Sequence, residues 1–209
     1  MTPDAGTFAI FAVAALALAV VPGPAVLYIV AQSVHGGRRA GVVSAFGVVT
    51  GSMFHVVAAV VGLSAVLAAS AEAFTVVKLV GAAYLVWLGI RAILSRDDRI
   101  AGRNPERTLS RTYRRGVVVN ILNPKTALFF LAFLPQFVDP DGSTRGQLAI
   151  LGVTFALIAL TTDLVWALVA GTAGAVLRRS RTFPRVQRYV SGTIFVGLGA
   201  LAATAGHSD

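Results

Sequence analysis

The sequence predicts an all-α polytopic membrane protein: six transmembrane helices in an inverted 3+3 repeat, with helices one and four broken. Three observations predict it. Of 209 residues, 56% are hydrophobic, and the apolar residues fall in runs of about 20 or more, long enough to cross a bilayer. The basic residues collect in alternate connecting segments, as the positive-inside rule requires. Proline clusters interrupt the first and fourth apolar runs. The net charge of +9 is therefore read as a topology signal that meets anionic lipid, not as a nucleic-acid footprint. With no cysteine in the chain, disulfides, thiolate metal sites and Cys nucleophiles are excluded.

Taken in order, the spans fall near residues 7–33, 41–69, 73–94, 116–138, 147–177 and 187–206. They form one transmembrane domain over 1–209: repeat one at about 7–94, a cytoplasmic linker at about 95–115 and repeat two at about 116–206. Met1–Gly6 contains Asp4 and no basic residue, so the first run is read as a retained span and not as a signal peptide. Arg38 and Arg39 follow span one; Arg96, Arg99, Arg103, Arg107, Arg111, Arg114 and Arg115 follow span three; Arg178, Arg179, Arg181 and Arg185 follow span five. The other side holds Arg145 against Asp4, Glu72, Asp139, Asp141 and Asp209. The Arg-rich loops are thus predicted to be cytoplasmic, with both termini outside the inner (plasma) membrane.

This topology orients the halves oppositely, and the sequence hints at duplication. Val21-Pro22-Gly23-Pro24 in span one answers Asn123-Pro124-Lys125 in span four. Span three, from Lys78, and span six, from Arg188, share a looser glycine and aromatic pattern. Inverted repeats with broken helices in corresponding positions point to a transporter's binding site.

The second break lies in Asn120–Pro135. Pro124 lacks an N–H and its ring clashes with the preceding turn, while Asn123, ahead of a proline, is driven from the α region. Residues 120–123 are predicted to be unwound, with Asn123 capping a new helix that has Pro124 first. That helix start carries free N–H groups, and Lys125 adds a charge, so an anion site is expected. At ~1.5 Å per residue, Pro24 and Pro124 both reach the bilayer centre, where the two half-helix starts would converge. Two ordinary proline kinks are the bland alternative.

In span two, Ser44, Gly47, Gly51, His55, Ala58 and Gly62 recur at helical spacing, a small-residue stripe for close packing within the subunit or across a dimer. Ionisable groups inside the bilayer are costly, and four arise: Asp163, Lys125, His55 and Lys78. Asp163 and Lys125 share a depth and oppose in charge. Lys125 and the helix ends would receive a carboxylate, and Asp163 an ammonium or a coupling proton, which a zwitterionic amino acid fits. A pair that merely neutralises itself is the alternative. His55 joins the proton relay or is a satisfied core histidine, and Lys78 snorkels outward or gates. Asn120, Asn123, Thr126, Thr161 and Thr162 offer neutral hydrogen bonds, with Gln32 and Gln136 nearer the ends. The linker is assigned no chemistry. No G-x-S-x-G, H-E-x-x-H or Walker motif occurs, so neither an enzyme nor a metal or cofactor is expected.

Together, P-G-P in span one, G-A-A-Y-L-x-x-L-G in span three, N-P-K followed by aromatics in span four and the Asp of span five resemble the LysE/RhtB-type amino-acid exporters. The likeness extends over about residues 7–206. It implies a six-helix bacterial inner-membrane exporter of amino acids, driven by proton antiport, and admits a homodimer. By motif, the functional positions it implies are Pro22, Gly23, Pro24, Asn123, Pro124, Lys125 and Asp163. One departure is Val21, where many members carry Asn, so the first half-helix lacks a polar cap. An aquaporin-like channel would need N-P-A pairs, absent here, and Lys125 would obstruct its pore. A metal-ion exporter of the same broad superfamily would need ligand clusters that the sequence does not show.

Overall fold

The computed structural model describes residues 4–63, 108–139 and 142–179, with single positions scattered over 76–94 and 189–200. Among the described residues all regular structure is helical. Most of predicted spans three and six, with Lys78, Arg188 and residues 95–107 of the linker, lies outside them.

Helix α1 (Ala5–Val20) starts on Asp4, whose carboxylate accepts the N–H groups of Gly6 and Thr7 at 2.9 and 3.0 Å. The Thr7 hydroxyl also donates to it, and these bonds hold the Asp4 carboxyl below the usual carboxylate range. The helix stops where Val21, preceding Pro22, turns to φ −66°, ψ 121°, the extended state that a following proline imposes. Helix α2 (Pro24–Ala58) begins after extended Gly23 with no side-chain cap.

Helix α2 is two limbs. Gly37 adopts φ 74°, ψ 179°, a backbone that glycine takes without a Cβ penalty, and the chain doubles back there. A Cβ on Gly41 would collide with Ser33 Oγ, although eight residues of straight helix would separate them by about 12 Å. Likewise Ala25 and Tyr28 of the first limb pack in one buried cluster with Ala45 and Val48 of the second. Arg38 follows the reversal and lies against Gly171, whose Cβ would come 2.9 Å from the Arg38 backbone nitrogen. A π-helical turn, Ala59–Leu63, continues the second limb.

Helix α3 (Leu109–Ile121) is capped by Thr108, whose hydroxyl accepts the Arg111 N–H. It lies along the second limb of α2 through the small-residue stripe. A Cβ on Gly47 would collide with the Tyr113 carbonyl, and one on Gly51 would sit 2.7 Å from the Val117 carbonyl. Gly116 reciprocates against the Ser44 carbonyl. The stripe thus packs within the subunit over Ser44–His55, while Ala58 is exposed and Gly62 has open space beside it among the described residues.

The predicted unwinding at 120–123 is shorter than expected. Helix α3 runs on through Ile121, because Leu122 N–H still bonds Val118 and Asn123 N–H bonds the Asn120 carbonyl at 3.0 Å. Only Leu122 and Asn123 leave the helix. Asn123 then caps α4 (Pro124–Leu128), its Oδ1 accepting the Lys125 N–H at 3.1 Å, as predicted. Beyond it the chain widens into a π turn, Phe129–Phe133, and tightens into a 3₁₀ turn, Leu134–Phe137. Pro135, which cannot donate an N–H, sits at that change.

Helix α5 (Thr144–Arg179) packs on both limbs of α2 and on α1. Phe155 stacks on Phe129 at 4.4 Å and meets Phe130 edge-on at 5.3 Å, centring an aromatic core that Phe11 and Leu18 of α1 complete. At one end of the molecule Asp4 and Thr7 share a cleft with Gln136–Asp139, and Gln147 clamps that loop by bonding the Asp139 N–H and C=O. Outside, Ile10, Val13, Phe54, Val57, Leu157 and Val165 are each more than half exposed, an apolar surface suited to lipid. By length and apolarity, Pro24–Gly62 and Thr144–Ala173 each suffice to cross a membrane, and Leu109–Ile121 with Lys125–Phe137, bent by 46°, counts as a third.

Candidate functional site

The two breaks face each other. Between them lies a cavity walled by Ala19, Gly23, Ala25 and Val26 from the first break, Val48 and Ser52 from the second limb of α2, and Asn120, Asn123, Lys125 and Thr126 from the second break. Phe155, Ala159 and Asp163 of α5 close it. Its free volume is about 30 Å³, room for roughly two waters and far below the hundreds of Å³ of small-molecule pockets.

Among the described residues Lys125 and Asp163 are its charges, 7% and 4% exposed, and each acts electrostatically on the other. Isolated buried charges are strongly disfavoured, so the two belong together. The Lys125 ammonium also donates to the Val21 carbonyl at 2.5 Å. That carbonyl is available because Val21 has left the helix. The lysine stem reaches it across Gly23, where a Cβ would stand 2.9 Å from Lys125 Cδ.

The second break is held by a closed polar network. Asn120 Nδ2 donates to the Val48 carbonyl and to Ser52 Oγ, both at 2.9 Å. Asn120 Oδ1 accepts from Asn123 Nδ2 at 3.2 Å and from Thr126 Oγ at 3.1 Å. All four side chains are buried, and full satisfaction is what makes such a network rigid. The backbone carbonyl of Asn120 meets His55 Nε2 at 2.9 Å. A carbonyl only accepts, so that nitrogen carries the proton.

Of the residues singled out in the sequence, Gly23, Asn120, Asn123, Lys125, Thr126 and Asp163 come together on one cavity. Pro22, Pro24 and Pro124 shape the breaks. Thr162 does not line the cavity, since its hydroxyl bonds the Ala159 carbonyl at 2.9 Å. His55 lies behind Asn120, stacked on Phe130. Among the described residues no three His, Cys, Asp or Glu side chains gather into a metal site. Sequence reading missed Ser52 and the Val21 carbonyl. The second had a signal, because a residue ahead of proline leaves its carbonyl outside the helical ladder.

The family model described as "LysE type translocator" matches residues 16–206. The chain belongs to that family. It is 32% identical over 197 residues to the "Homoserine/homoserine lactone efflux protein" of Salmonella typhimurium, covering 91% of this chain and 93% of the relative. It is 31% identical over 192 residues to the "Uncharacterized membrane protein YrhP" of Bacillus subtilis, covering 87% of this chain and 91% of the relative. No solved structure matches it. A LysE type translocator is a membrane protein, as the apolar outer surface requires.

Proposed function

We propose that this LysE family member exports amino acids or close derivatives across the bacterial inner membrane by proton antiport. The observation that carries this reading is a buried pair of opposite charges, Lys125 and Asp163, on a small cavity between two broken helices. A zwitterion supplies a partner to each charge without adding net charge to a low-dielectric site. The relatives named for homoserine and its lactone favour small primary-amine cargo, because the amine is the charged group that both compounds can carry.

In this reading the chain forms one domain of six spans. Repeat one (7–94) and repeat two (116–206) are inverted about the cavity and joined by the 95–115 linker. Reversal at Gly37 supports counting the two limbs of α2 as separate passes, the first continuing α1 as a broken span. Asp4 and Asp139 at one end, with Arg38 at the other, support termini outside and Arg-rich loops inside. Asp163 handles the coupling proton or the substrate amine, and lipid and protons are the remaining partners. A homodimer is compatible with this arrangement and unnecessary to the site.

The test is efflux from proteoliposomes over a panel of amino acids, with and without an imposed pH gradient. Accelerated efflux of small amino acids under the gradient is expected. Gradient-independent water flux with no amino-acid counterflow would replace the carrier by a channel.

A further inference from the structure

We propose that Lys125 is a tethered stand-in for the substrate's ammonium: in the unloaded carrier its side chain occupies the amine subsite, and a loading substrate displaces it. This rests on the export reading above and adds where the amine binds. The subsite is made of the two groups that hold the Lys125 ammonium, the Val21 carbonyl that accepts from it and the Asp163 carboxylate that lines the same cavity. Val21 ends α1, and the last carbonyls of a helix lack internal partners and carry partial negative charge. A primary ammonium is the group such a carbonyl and a nearby carboxylate receive best in a dry site. Lys125 presents that same group there, 2.5 Å from the carbonyl oxygen.

Two further features fit a displaceable side chain. Its stem lies over Gly23, the one residue of the first break without a side chain to hinder its movement. The cavity has only about 30 Å³ free while the stem is in place, so the arm must move before cargo fits. On loading, the substrate ammonium takes the Val21 carbonyl and Asp163, and Lys125 swings to the substrate carboxylate. The exchange conserves hydrogen bonds and charge for a zwitterion. A lactone or ester, having no carboxylate, must evict Lys125 without offering it a new partner.

The test compares equilibrium binding of homoserine, homoserine lactone and 4-hydroxybutyrate to the full chain in proteoliposomes. Lys125→Met keeps the stem and removes the ammonium. If the subsite is free of its own lysine a tenth of the time in the parent, the lactone should bind about tenfold tighter to this variant. Homoserine should bind more weakly, having lost its carboxylate partner. Lys125→Gln retains a neutral donor for the Val21 carbonyl and should tighten the lactone less, which decides the matter if Lys125→Met does not insert. 4-Hydroxybutyrate, lacking the amine, should bind to neither. Opposite signs for the two amine probes support the displacement. Parallel weakening, or an unchanged lactone affinity, overturns it while leaving export standing. A parent protein that neither binds nor transports any probe overturns the export reading and this proposal with it.

Discussion

The two helix breaks solve the same problem in opposite ways. At Val21–Pro24 the chain interrupts its helix with two prolines and a glycine, adds no side-chain cap, and turns out a backbone carbonyl that the Lys125 ammonium takes. At Leu122–Asn123 it surrounds the break with Asn120, Asn123, Thr126 and Ser52, every donor of the two amides engaged. One break exposes backbone and the other is fastened by side chains. On the proposed export reading the difference divides the labour: the first break receives the cargo and the second is a fixed wall. Lys125 links them, rooted in the second and reaching the first.

The largest effect should come from removing the charge that both breaks face. Asp163→Asn leaves Lys125 buried without its countercharge. Stripping one member of a buried pair costs about 3–5 kcal/mol, a factor of roughly 10²–10⁴. Gradient-driven efflux should fall by at least about a hundredfold, with insertion into the membrane retained. Parental efflux from this variant would show that the breaks bind cargo without Asp163.

Next comes the fastened break itself. Asn120→Leu keeps the volume but orphans buried groups on Ser52, Asn123 and Thr126, at about 1–3 kcal/mol for each group left unsatisfied. The melting temperature in detergent should drop by several degrees, more than for any substitution at Gly23. If Asn120→Leu proved thermally silent, the wall would not be the rigid element.

At the open break, Gly23→Ala should move affinity more than stability. Gly23 has φ −109°, which alanine adopts freely, and its new methyl would meet the flexible Lys125 stem. A stability change within about 1 kcal/mol is expected, with a severalfold change in KM because the lysine arm is pushed aside. A large loss of stability with an unchanged KM would make this break structural and not receptive.

How much of this was legible beforehand follows from the range of each force. Pro24, Pro124 and the Asn123 cap were readable because proline and capping act on immediate neighbours. The shared depth of Lys125 and Asp163 was readable by counting residues along helices of known rise. The glycine stripe disclosed a close approach, and its partner turned out to be α3. What no local rule supplies is the aim of a long side chain across the fold. Lys125 was read as a receptor for carboxylate, and its reach to the Val21 carbonyl depends on where α1 ends in space. Ser52 likewise became a wall residue only through Asn120, 68 positions away. The helix started by Pro124 belongs to a span placed at about 116–138, and nothing in its sequence marks the change of winding at Phe129–Phe133. Its widening is set by packing on Phe155 and by Pro135 downstream.

The smallest expected effect concerns His55, which the sequence offered as part of a proton relay. Its ring stands behind the fixed wall, half-buried, stacked on Phe130 at 5.9 Å, with Nε2–H given to the Asn120 carbonyl. That contact ties the second limb of α2 to the end of α3. His55→Gln can donate to the same carbonyl and loses the ring stack, worth about 0.5–1.5 kcal/mol. The melting temperature should fall slightly, and the dependence of efflux on pH should keep the parental shape that Asp163→Asn abolishes. If His55→Gln instead flattened the pH profile at full expression, the proton would travel through the fastened break. The division between a receptive break and a static one would then have to be redrawn, with both breaks taking part in coupling.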